Sequence, residues 1–136
     1  MKTTTALKVA ERQELSKATI MRVDPDILIT RYRFDVVIDE RDAKIIDEAH
    51  VQMCQGKDVF IIVDLEKGLT KISKSAEDFF SKKGQMLPYI KAVALVDGTK
   101  SSFFANFLLK LHNFIYPTKS FLSVEDAVSW INDQRS

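Results

Sequence analysis

Two histidines, His50 and His112, one cysteine, Cys54, and two aspartates that close apolar runs, Asp64 and Asp97, are the side chains from which catalytic or ligand chemistry would first be built here. His50 falls between Ile46 and Met53 on an apolar helical stripe. That position favours a part-buried, hydrogen-bonded imidazole over an acid–base role. His112 belongs to the polar side of a later helix and is expected to be exposed. Cys54 would act as a nucleophile only if folding brought a base to it; its default is a small buried hydrophobe. A lone thiol cannot build a cysteine-based zinc site, and the two histidines stand on different predicted helices, so no metal is expected; no cofactor is expected either. Asp64 and Asp97 follow central-type strands, and the C-terminal ends of such strands are where open α/β sheets bind ligands. Both also fit ordinary loop chemistry, Asp97-Gly98 being a good turn. The stretch Gly98-Thr99-Lys100-Ser101 lacks the preceding glycine-rich half of a phosphate loop, and no Gly-x-Ser-x-Gly elbow is present.

These groups must be held by elements that the apolar periodicity predicts. Residues 1–16 are polar and without a clear period, which predicts a flexible N-terminal segment. Runs at 18–23 and 27–33 flank Asp24-Pro25-Asp26 and read as a hairpin. In the second run Leu28, Thr30, Tyr32 and Phe34 share one largely apolar face. Asp39 caps a helix to about Gln55, stopped at Gly56. The run Val59–Val63 suits a central strand covered on both faces. After a loop over 64–72, Ser73 or Ser75 opens a second helix that Pro88 closes. Residues 91–96 form another central strand. A third helix runs from Ser101 or Ser102 to about Tyr116, residues 118–122 form a short edge strand, and Ser123 caps a last helix with Asp126 in the capping-box position. The order β-β-α-β-α-β-α-β-α predicts an α/β domain with a mixed, mostly parallel sheet of about five strands, opened by a hairpin, and about four helices.

The third helix is the most unusual segment. Phe103, Phe104, Phe107, Leu108, Leu111, Phe114 and Ile115 fall within an arc of about 140° at ~100° per residue. Such an arc fits a helix packed on the sheet, or one whose flank meets a partner subunit or an apolar ligand.

Length and composition bound the rest. A chain of 136 residues fits one domain, with residues 17–136 as the folded unit. Net charge is +1, and the nearest basic cluster, Lys71, Lys74, Lys82 and Lys83, is interleaved with Glu77 and Asp78. That is a solvated face rather than a nucleic-acid stripe. The most apolar stretch, 103–116, is interrupted by Asn106, Lys110, His112 and Asn113, short of the ~20 residues of a membrane span. No signal-peptide pattern opens the chain, and the single thiol suits a reducing compartment, so a cytoplasmic location is expected.

The element order, together with local phrases, resembles the STAS-like (SpoIIAA-like) fold of bacterial anti-sigma-factor antagonists, and within it a branch of small uncharacterised proteins. The phrases are Val37-Ile38-Asp39-Glu40-Arg41-Asp42-Ala43, Ile62-Val63-Asp64, Ile72-Ser73-Lys74-Ser75-Ala76, Ala92-Val93-Ala94-Leu95-Val96, Asn106-Phe107, Tyr116-Pro117-Thr118 and Val124-Glu125-Asp126-Ala127-Val128-Ser129-Trp130-Ile131. They span about Thr30 to Asn132, and their order and spacing carry the match. The resemblance implies a fold; the branch brings no activity with it. The larger family phosphorylates a serine in an Asp-Ser-Ser-Gly phrase, which here reads Ser73-Lys74-Ser75-Ala76. Ser75 and Ser73 are the candidate phosphoacceptors, and both also fit simple helix capping.

Two functions follow as expectations. The first is a non-catalytic regulatory or protein-interaction module, with a protein partner or a homodimer. The second is a small carrier or sensor of an apolar, lipid-like ligand using the aromatic third helix. The candidate partner or ligand surface is Phe103, Phe104, Phe107 and Phe114 with Asp64 and Asp97. Enzyme activity is the least favoured reading, since no nucleophile–base pair is visible in the sequence.

Overall fold

A computed structural model describes residues 9–65, 71–97 and 116–135. Strand β2, Ala18–Asp24, and β3, Ile27–Tyr32, form the expected antiparallel hairpin around Pro25-Asp26. Proline pre-sets the backbone angle of such a turn. The pairing sets Ala18 against Tyr32 and Ile20 against Thr30. Strand β1, Glu11–Glu14, lies antiparallel on the outer side of β2. The expected flexible segment ending at residue 16 therefore contains a strand. Its sequence, Glu-Arg-Gln-Glu, has no apolar alternation because an edge strand with a solvated surface needs none.

Next to β3 lies β5, Val59–Asp64, then β7, Ile90–Val96, then β8, Thr118–Phe121, each parallel to its neighbour. The main sheet thus has six strands rather than about five, in the order β1-β2-β3-β5-β7-β8. Two short segments, β4 (Val37–Ile38) and β6 (Lys71–Ile72), pair in parallel as a separate ribbon. Strand β3 ends at Tyr32, so Phe34, expected on its apolar face, instead stands 66% exposed in the turn that follows.

Helix α1, Glu40–Cys54, is closed at its start by a capping box: the Asp42 amide donates to Asp39 Oδ1 at 2.9 Å and the Asp39 amide to Asp42 Oδ2 at 3.0 Å. It ends at Gln55 and Gly56, both with positive φ. The stripe Ala43, Ile46, Ala49, His50 and Met53 is buried, as its spacing predicts. The last helix, α3 (Val124–Arg135), has Ser123 Oγ accepting from the Asp126 amide at 3.2 Å. Three α-helices are seen among the described residues, and the expected helix from 101 to 116 lies almost wholly outside them.

Strand side chains alternate between two cores. On one face Ile20, Leu28, Val59, Ile61 and Val93 pack against Ala49, Met53 and Cys54 of α1. On the other, Ile29, Phe60, Ile62 and Ala94 pack against Ala127 and Ile131 of α3. Burial on both faces explains why β5 and β7 read as continuous apolar runs.

The expected second helix is broken. Helix α2 covers only Lys74–Asp78, followed by a π-helical turn over Phe79–Lys83 and, after Gly84, a 3₁₀ turn at Leu87–Tyr89. The reason is Asp47 of α1. Its carboxylate accepts the amides of Gln85 at 2.8 Å and Met86 at 3.1 Å. Those amides point away from the carbonyls that a continuing helix would offer them. Gly84 allows the approach, for a Cβ there would lie 2.9 Å from Asp47 Oδ1.

Candidate functional site

Between the sheet and this broken helix lies a pocket of about 100 Å³. Its floor is one face of the sheet: Thr30 and Tyr32 of β3, Ile61 and Val63 of β5, and Val93 of β7. Residues two apart on a strand point the same way, which puts the Thr30 and Tyr32 hydroxyls on one side. Asp47 and His50, one turn apart on α1, form one wall. Phe80 of the π-helical turn, with Met86 and Leu87, forms another, and Tyr116, just before β8, also lines the pocket. A π-helical turn widens the helix and is frequent beside functional sites; here it presents Phe80 to the pocket.

The polar groups are ordered by one chain of hydrogen bonds. His50 Nδ1 lies 2.8 Å from the Ile46 carbonyl oxygen, which can only accept. Nδ1 therefore carries the proton, and Nε2 is a bare acceptor. Thr30 Oγ1, 2.5 Å from Nε2, must then donate its only proton to it. Burial pushes the imidazole down to about 4, against the Ile46 hydrogen bond and the Asp47 charge, which favour the proton. The ring is neutral at pH 7. Burial alone raises the Tyr32 phenol above its ordinary range, and pushes Tyr116 up to about 12. Among the described residues no group hydrogen-bonds the Tyr32 hydroxyl.

Thr30 and His50 have the spacing of a nucleophile and its base. An imidazole with so little proton affinity is a weak base at neutral pH, and Thr30 is buried in mid-strand. The pair orders the pocket's polarity rather than activating an alcohol. A mostly apolar concavity with a few convergent polar groups is the usual form of a small-molecule site.

A family model for a domain of unknown function, DUF7793, matches residues 21–135. The chain belongs to the DUF7793 family. A comparison with curated proteins finds no match to this DUF7793 domain. Among solved structures it is similar to an uncharacterised protein of the DUF3478 family with a SpoIIAA-like fold from Shewanella loihica PV-4, at 12% identity and a TM-score of 0.58. That likeness covers 96% of this chain and 98% of the other. The DUF7793 domain has a SpoIIAA-like (STAS-like) fold, as its sequence phrases implied. No described helix is long and apolar enough to cross a membrane.

The candidates from sequence are scattered. Ser73 caps α2, accepting from the Ala76 amide at 3.1 Å, and Ser75 Oγ lies 3.1 Å from Ser73 Oγ; neither lines the pocket. Asp64 is buried and takes Arg31 Nε at 2.9 Å, at the end of β5. Asp97 is also buried, its amide donating to the Phe121 carbonyl at 3.1 Å. Phe103, Phe104, Phe107 and Phe114 lie outside the described residues, as does His112. Of the described candidates His50, Cys54, Asp64 and Asp97, His50 lines the pocket. Sequence reading missed Thr30, Tyr32, Asp47, Phe80 and Tyr116. The available signal was polarity out of place: a hydroxyl at Thr30 on a core-facing strand position, and Asp47 one turn before His50 on a buried stripe.

Proposed function

We propose that this DUF7793 domain is a non-catalytic regulatory module that binds a small, mostly apolar molecule in the pocket between β3, β5, β7 and α1. The observation that carries the reading is the pocket itself: about 100 Å³ of space, walled mainly by apolar side chains, into which neutral His50, Thr30 and Tyr32 are set. The SpoIIAA-like fold supports a regulatory role by analogy of architecture only. Native mass spectrometry of protein taken gently from its own cells tests it. The expected result is a reproducible added mass that denaturation releases, and that a Val63→Trp variant, filling the pocket, no longer carries. A bare wild type that also fails to take up toluene or phenol overturns the reading.

A protein contact is favoured by a separate observation. Phe34, in the connection after β3, and Val37, the first residue of β4, are 66% and 53% exposed. Sedimentation velocity checks whether they hold a second copy. A dimer that Phe34→Asp dissolves supports it; a wild type monomeric at high concentration excludes a homodimer.

A further inference from the structure

We infer, resting on the reading of the pocket as a ligand site, that its occupant is an uncharged hydroxylated molecule, a phenol or a compact alcohol, whose hydroxyl bridges Thr30 and Tyr32. Size limits it first. About 100 Å³ is smaller than the ~150 Å³ cavity that accommodates benzene in an engineered protein. With some yielding of Phe80 and Met86 at the wall, one ring or a short branched chain fits.

Charge limits it next. Among the described residues no lysine or arginine lines the pocket, and the one charged side chain there, Asp47, repels an anion. That lining disfavours carboxylates and phosphates. A cation finds both Asp47 oxygens already holding the amides of Gln85 and Met86. The rest of the wall is largely apolar and cannot replace the water a cation would lose.

Hydrogen-bond polarity then selects the functional group. The Thr30 proton is committed to His50 Nε2, so Thr30 Oγ1 can only accept from a ligand. Tyr32, with no other partner among the described residues, can donate. A ligand must give one hydrogen bond and take one. A hydroxyl does both; a ketone or ether gives none and leaves the Thr30 oxygen unmatched. The backbone carbonyl of Ile46 thus dictates, through the imidazole and the threonine, which end of a hydrogen bond the pocket presents.

Methyl-detected NMR titration at Ile61 and Val63 with isosteric probes tests this. Phenol is expected to bind roughly tenfold more tightly than toluene, the effect of one net hydrogen bond. Benzoate and benzylamine are expected to bind more weakly than toluene. Tyr32→Phe should erase the advantage of phenol over toluene. Thr30→Val should do the same, and Tyr32→Phe decides alone if Thr30→Val fails to fold. Equal binding of toluene and phenol, or tighter binding of benzoate or benzylamine, overturns the hydroxyl class and leaves the pocket reading standing. No binding of either neutral probe overturns both.

Discussion

At position 50 the fold holds a histidine neutral by burying it, and stability must follow the proton. The folded imidazole sits near pH 4 against an ordinary value of 6.5. Between these values the unfolded chain binds a proton that the folded chain refuses. Stability therefore rises with pH across that window: it is fully present above about 6.5 and lost progressively as pH falls toward about 4. The size of the effect is on the order of 3 kcal/mol. Denaturant unfolding at several pH values checks this, and His50→Gln should flatten the curve in that interval. If the slope is the same in both proteins, His50 is not the titrating group. The sequence placed His50 correctly on a buried stripe. It could not show the partner, because Thr30 is twenty residues away and meets it only when α1 packs on β3.

The segment from Ser73 to Tyr89 shows how one side chain overrides a local preference. Ala76, Phe79 and Phe80 have helical spacing, and Pro88 is an obvious stop. Read alone they predict one helix. Asp47 competes for the amides of Gln85 and Met86, and a charge-assisted bond wins over continuation of the helix. Asp47→Asn should cost about 1–3 kcal/mol, since an amide oxygen satisfies one donor while its NH₂ opposes the other. Gly84→Ala should cost a similar amount, because the new Cβ would press on Oδ1 of a carboxylate that the Met86 amide holds at Oδ1 and the Gln85 amide at Oδ2. In the double variant Asp47→Ala/Gly84→Ala the costs should fall well short of their sum, since the clash disappears with the carboxylate. Chemical denaturation of wild type, Asp47→Ala, Gly84→Ala and the double variant measures this coupling, and simple additivity would exclude it.

For the molecule as a whole, the α/β class, the hairpin, the two central strands and the terminal helix were legible because burial on two faces leaves continuous apolar runs. Strand β1 was not, since its pairing uses backbone groups while its side chains face water. Removing residues 1–16 should lower stability more than removing residues 1–8, by about 2 kcal/mol, through the lost β1 pairing and the apolar cover of Leu15. Thermal melts of the two truncations check it; equal melting temperatures would mean β1 adds nothing. The aromatic arc at Phe103 and Phe114 calls for a separate test. If it joins two copies, Phe103→Asp with Phe114→Asp should convert a dimer to a folded monomer by sedimentation. An unchanged dimer would remove the arc from the interface. The strand order carries a last consequence. In the main sheet every strand lies beside the strand that precedes it in the chain, with no later strand inserted between earlier ones. During synthesis each strand leaving the ribosome therefore meets an edge already built, and the sheet can grow from the N-terminus outward. The sheet face that Ala127 and Ile131 cover stays open until α3 has been made, and there a chaperone holding the nascent chain would find apolar surface to grip.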